Sequence, residues 1–339
     1  MKSIVYELAS PYTLTQKELE IDDGGLGASG ILAATEYSVV STGTEIAAWV
    51  GKPPLRPSKA YPRLVGYCNL AKVTQVGASV SDIFIGDYIL THQSHRTAFI
   101  CNKSEVLLHV TEPSEVMRKR LTATYLYHLG YAALLAGGYK PGCQVAVVGM
   151  GTVGLTTASL VKAFGSQPLI FTDQDIGKTP MQKMGFTSIF RKSYAVAEFM
   201  SQLCGMDGVD ISINTSNKWS DYLLCLQLVR QGGEMVCIGF PGRGEAAPEF
   251  NPLDSQYFYD KQLTIRHCGY MPDVDVSAID IRFTLKRNIQ YLSTLILVSL
   301  VDPLDILSLE SSWVNLDTVY RSLASRQAGV YSALIDWRA

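Results

Sequence analysis

The stretch Gln144-Val-Ala-Val-Val-Gly-Met-Gly-Thr-Val-Gly154 constrains the fold more than any other part of the chain. An apolar run, the pattern of a strand buried on both faces, leads straight into Gly149, Gly151 and Gly154, spaced as G-x-G-x-x-G. Each glycine has a separate reason to lack a side chain: the first for a tight strand-to-helix turn, the second for close approach of the backbone to a pyrophosphate, the third for helix-on-strand packing. The residues after the turn, Thr152 and Val153, begin a helix whose N-terminal amides and dipole favour an anion. Leu155 to Phe164 reads as that helix, Gly165 closes it, and Leu169-Ile-Phe-Thr-Asp173 reads as the next buried strand, ending in an acid. A carboxylate there accepts hydrogen bonds from ribose hydroxyls and repels a 2′-phosphate, so Asp173 predicts a preference for NAD(H) over NADP(H). Lys178, Thr215, Gly239 and Phe240 join the expected cofactor set.

The chain has 339 residues, 47% of them hydrophobic and 18% charged, which suits two packed, soluble domains and argues against disorder. A net charge of −2, without a basic cluster interleaved with aromatics, disfavours nucleic acid as a partner. The opening Met1-Lys-Ser-Ile-Val-Tyr-Glu7 reads as a first strand rather than a signal peptide. The longest apolar run, Tyr291 to Val301, is too short for a membrane helix and reads as core. Seven cysteines at 68, 101, 143, 204, 225, 237 and 268 form no C-x-x-C pair, as expected of reduced thiols in a cytoplasmic protein.

Up to about residue 120 the pattern is one of short strands: Ile31–Val40, Cys68–Gly77, Gly86–Leu90 and Ala98–Cys101. A helical stretch from Met117 to Gly138 and the turn Pro141-Gly142 lead into the glycine motif. Strands and helices then alternate: strand Ser188–Phe190, helix Ala195–Cys204, strand Val209–Asn214, helix Trp219–Val229, and strands Gly233–Gly239 and Leu263–Arg266. That alternation predicts an α/β fold with a doubly wound parallel sheet. Helices Ile279–Thr294 and Leu316–Ala324 and a last strand Val330–Asp336 depart from it, so the chain is expected to return to its first domain. The expected division is a dinucleotide-binding Rossmann domain over 123–271 and a β-rich catalytic domain over 1–122 and 272–339, with ligand at the carboxyl ends of the Rossmann strands.

This layout resembles the medium-chain dehydrogenase/reductase superfamily over nearly its whole length. The resemblance rests on Gly66 followed by Val73-Thr-Gln-Val-Gly77, on Gly86-Asp-Tyr88, on Tyr139-Lys-Pro-Gly142 and on Gly232-Gly-Glu-Met-Val-Cys-Ile-Gly239. It implies that the β-rich domain is GroES-like and barrel-type, that the substrate is a small molecule, and that the protein is a homodimer without membrane or nucleic acid partners. Ser41-Thr-Gly-Thr-Glu45 with Trp49, Gly51, Pro53-Pro54, Tyr61-Pro62 and Gly66-Tyr67 is most similar to two zinc-poor branches. One contains bacteriochlorophyllide hydroxyethyl dehydrogenase, the other dehydrogenase-like proteins of sugar pathways.

Zinc-dependent members carry Cys-Gly-Thr/Ser-Asp, then Gly-His-Glu, then a third ligand. Here these positions read Thr42-Gly43-Thr44-Glu45, Gly66-Tyr67-Cys68 and a site near Thr124. A catalytic zinc needs three thiolate, imidazole or carboxylate ligands, so no zinc is expected. Cys68 could ligate, but a buried thiol is the commoner reading, and His92 and His95 form an H-x-x-H pair lacking a recognisable third ligand. Without a Lewis acid, hydrogen-bond donors must stabilise the alkoxide and side chains must move its proton. The resemblance places Thr44 at the substrate hydroxyl and Tyr67 where a ligand stood; His95 is preferred as the proton carrier, with His92 and then Glu45 as fallbacks. Each has a plainer reading: Thr44 as a helix cap, Tyr67 as aromatic wall, one histidine as a loop residue. The expected function is a zinc-independent NAD(H)-dependent oxidoreductase that exchanges a hydride with a secondary alcohol or ketone in a biosynthetic pathway. Two alternatives stay open, an enone or quinone reductase and a catalytically silent NAD-binding sensor.

Overall fold

The computed structural model describes residues 1–55, 60–192, 196, 199, 207–269 and 283–338. The side chain of Lys178 and most of the expected helix Ala195–Cys204 lie outside the described residues, as does the start of the helix expected from Ile279. The chain divides into two compact units, one of Met1–Leu126 with Pro272–Ala339, the other of Tyr127–Met271. Among the described residues no helix is long and apolar enough to cross a membrane.

In the Tyr127–Met271 unit, six parallel strands lie in the order Ile189–Arg191, Leu169–Thr172, Val145–Val148, Val209–Asn214, Val229–Cys237, Thr264–His267. The chain thus winds outward one way from Val145–Val148 and then the other, giving the doubly wound α/β sheet the alternation predicts. Val145, Ala146, Val147 and Val148 are fully buried, which is why this strand reads as an unbroken apolar run. The helix after it spans Thr152–Ala163. Helix Trp219–Leu228 ends where Lys261 Nζ donates to the carbonyls of Leu226, Gln227 and Val229, at 2.8–3.0 Å. A cation at a helix C-terminus satisfies carbonyls that have no intrahelical donor.

The other unit is the GroES-like, predominantly antiparallel one. Its long strand Gly30–Val39 pairs with Asn69–Val76, Ala98–Asn102 and Ser332–Asp336, and bulges at Leu32/Ala33 and Thr35/Tyr37 shift the register along it. Ser38 therefore lies opposite both Asn69 and Ile335. Strands Thr13–Glu20 and Leu307–Ser312 carry no clear sequence signal, because half-exposed polar strands lack an apolar run. The helical stretch expected over Met117–Gly138 consists of two helices, Glu115–Thr122 and Thr124–Ala136. The apolar run Tyr291–Val301 is core on one side only: Leu292, Leu295, Ile296 and Val301 are buried, while Leu297, Val298 and Leu300 are about half exposed. Helical periodicity from Leu285 to Leu297 explains that split.

Candidate active site

The glycine motif has the backbone its spacing predicts. Gly149 adopts φ +99°, a region costly for residues with a Cβ, and a Cβ on Gly154 would lie 1.9 Å from the Gly149 carbonyl oxygen. A Cβ on Gly151 would meet nothing within 4 Å, so the surface there is open above the helix N-terminus, which no side chain caps. The Thr152 side chain is buried, Val153 offers its carbonyl to the hydroxyls of Thr156 and Thr157, and Thr215 Oγ1 donates to the Gly149 carbonyl at 2.7 Å. Gly239 follows strand Val229–Cys237, where a Cβ would lie 2.2 Å from the Ser216 carbonyl oxygen, and Phe240 lies beneath the Arg243 guanidinium at 4.1 Å. Asp173 directly follows Leu169–Thr172; burial acts to raise its pKa, but Lys192 and Lys218 outweigh it and hold the carboxyl below the ordinary range. An open glycine turn, an uncapped helix N-terminus and an ionised acid after the second strand fit a dinucleotide.

In the GroES-like unit a wide turn, Thr42–Ile46, carries Glu45 inward. The carboxylate is 3% exposed, and donors surround it: Ser41 N–H to Oε1 at 2.6 Å, His95 Nε2 to Oε2 at 2.9 Å, and the Tyr320 hydroxyl to Oε2. His95 has no exposed surface. Its Nδ1 meets Ser38 Oγ at 2.7 Å, and Ser38 Oγ accepts from Trp337 Nε1 at 2.8 Å. The Glu45 carboxylate can only accept, so the His95 nitrogen facing it, Nε2, carries a proton. Gly66 permits the packing: at φ +91°, a Cβ there would lie 2.7 Å from the His95 ring.

These positions do not match the expectation that His95, or Glu45 after it, hands a proton to substrate. Both are buried, both ring nitrogens are engaged, and Glu45 accepts from three donors. Of the His92/His95 pair, His92 is the exposed one. Its Nδ1 lies 3.1 Å from the Tyr67 carbonyl, which can only accept, so Nδ1 donates there. The His92 and Tyr67 rings both meet Tyr125 edge-on, with centroids 4.5 and 5.6 Å apart. The Tyr67 hydroxyl bonds to Ser41 Oγ and to Thr44. Burial pushes the Tyr67 phenol well above its ordinary pKa, with Cys68 and Glu45 adding to the effect, so it stays protonated. Sequence reasoning did not single out Ser38, Ser41, Tyr125, Tyr320 or Trp337.

The donor chemistry at the three positions of a catalytic zinc set does not fit the metal. Thr42 Oγ1 donates to the Tyr331 carbonyl, Tyr67 is bound as above, and Thr124 Oγ1 donates to the Leu121 carbonyl at 2.6 Å. Burial, then Glu45, raises the Cys68 thiol well above its ordinary pKa, against thiolate formation. Among the described residues no three His, Cys, Asp or Glu side chains converge as a metal site.

The profile of the "Zinc-binding dehydrogenase" family matches residues 152–282. Sorbitol dehydrogenase of Bacillus subtilis (strain 168) is 28% identical over 141 residues, 41% of this chain and 38% of that protein. L-threonine 3-dehydrogenase of Shewanella sp. (strain W3-18-1) is 24% identical over 221 residues, 57% of this chain and 64% of that one. The matched region therefore spans less than two thirds of either relative. An alcohol dehydrogenase (rspB) of Escherichia coli CFT073, solved with NADH, has the same fold at a TM-score of 0.79, with 13% identity over 99% of both chains. The chain is similar to these dehydrogenases in its second half and shares their overall fold. It combines an intact glycine motif with hydroxyl side chains at the three positions the resemblance gives to zinc ligands.

Proposed function

We propose that the chain is an NAD(H)-linked dehydrogenase that interconverts a secondary alcohol or polyol and its ketone without a catalytic zinc. The observation that carries this reading is that Thr42, Tyr67 and Thr124, at the zinc-ligand positions, are each committed to hydrogen bonds within the protein. The nicotinamide, when bound, supplies or accepts the hydride. The chain's task is then the oxygen and its proton. Tyr67, held protonated by burial, gives its one O–H proton to Ser41 in the free site; turned from Ser41 to substrate, that O–H would donate to a developing alkoxide, with Thr44 beside it positioning the same oxygen. The exposed His92 imidazole is the side chain suited to accept the hydroxyl proton during oxidation and return it during reduction. Glu45 and His95 act as positioning residues: Glu45 fixes the Ser41 N–H, and the Ser41 hydroxyl fixes the phenol. Asp173 supports NAD(H) as the nucleotide.

The test is turnover of a panel of polyols, secondary alcohols and their ketones with NAD(H), following deuterium from 4-deuterated NADH. Deuterium appearing on a carbinol carbon supports the reading. Deuterium on the β-carbon of an enone, or NADH binding without turnover of any panel member, would overturn it.

A further inference from the structure

The end of the second nucleotide-unit strand carries more charge than a ribose-binding acid requires. The Asp173 side chain is 55% exposed, and its two oxygens face different cations: Lys218 Nζ lies 3.3 Å from Oδ2 and Lys192 Nζ 3.9 Å from Oδ1. Neither lysine is placed by local sequence. Lys192 sits just past strand Ile189–Arg191, its backbone N–H bonded to the Thr172 carbonyl at 3.0 Å. Its ammonium is also 2.7 Å from Asp221, a buried acid in the first turn of helix Trp219–Leu228. Lys218 is the residue before that helix, and its side chain is 46% exposed. The Asp173 turn is tied down as well, because Gln174 Nε2 donates to the Met150 carbonyl at 2.7 Å, inside the glycine motif.

We propose that nucleotide selectivity is set by the bracket Lys192–Asp173–Lys218, so that neutralising Asp173 alone turns the pocket towards 2′-phosphorylated dinucleotides. This rests on the reading that the unit binds a dinucleotide. Two ammoniums and two carboxylates balance in the native cluster. Removing the Asp173 charge leaves one positive charge unmatched. Since Lys192 stays paired with buried Asp221, that charge resides on exposed Lys218. A 2′-phosphate occupies the region an acid at this position guards, and it carries close to two negative charges. Without the lysines, loss of the acid would only equalise the two nucleotides; with them, it reverses the preference.

The test is a set of Kd values for NADH and NADPH, from nucleotide fluorescence titration of wild type, Asp173→Asn, Lys218→Met and the double variant. Lys192→Met is avoided because it strands Asp221 as an unpaired buried charge. Wild type should prefer NADH by ~10-fold or more, D173N should prefer NADPH by ~10-fold, and D173N/K218M should bind the two within about threefold. If D173N binds both nucleotides equally, or the double variant keeps the NADPH preference, the bracket is overturned while the dinucleotide reading stands. Wild type binding neither nucleotide overturns both.

Discussion

The two units solve opposite problems. The nucleotide unit is built from backbone: its function rests on glycine conformations, helix-terminal amides and apolar strands, all set by residues adjacent in sequence. The GroES-like unit is built from side chains that meet across great sequence distances, Glu45 with Tyr320 and Ser38 with Trp337, 275 and 299 residues apart. In the first kind of site the turn itself depends on backbone and fails when a Cβ is added at Gly154, while side chains around Asp173 bear only on which nucleotide is preferred. The second tolerates backbone change but depends on every partner in a buried polar chain, since an unsatisfied group there pays its full desolvation cost.

The sharpest way to separate the two is Tyr67→Phe. Loss of a group that donates to the reacting oxygen should lower kcat by ~100-fold or more while the Kd for NADH, which depends on the other unit, stays within about twofold. A loss confined to KM would instead mark Tyr67 as aromatic wall. Next in size is Glu45→Gln. It breaks a buried carboxylate's bonds to His95 and Tyr320 and should destabilise the protein by about 3 kcal/mol in urea unfolding, again sparing NADH affinity in the folded fraction. A variant as stable as wild type would show that the buried chain is not structural. Gly154→Ala inverts the comparison: the added Cβ overlaps the Gly149 carbonyl. It should cost about 2 kcal/mol and weaken NADH binding at least tenfold, leaving the Glu45–His95 contacts intact. Unchanged NADH affinity would remove the glycine turn from the binding site.

The same contrast explains what could be read from sequence. The Gly149–Gly154 turn and the doubly wound parallel sheet were legible because each follows from local geometry and apolar runs. The burial of His95 was not legible. Nothing in H-x-x-H tells which histidine turns inward, and that is decided by Gly66, Ser38 and Trp337, which lie on three separate segments. Lys192 and Lys218 were likewise silent. Each is an ordinary lysine until the sheet brings the ends of three strands together around Asp173.

The central claim is that hydroxyl and phenol groups, not a metal, hold the reacting oxygen in the GroES-like unit. Elemental analysis and turnover measured on one preparation, before and after exhaustive chelation, test it most directly. The account predicts no more than ~0.1 zinc per chain, against the one ion a catalytic site holds, and an unchanged kcat after chelation. One tightly bound zinc per chain, with activity lost on its removal and restored by its return, would contradict it.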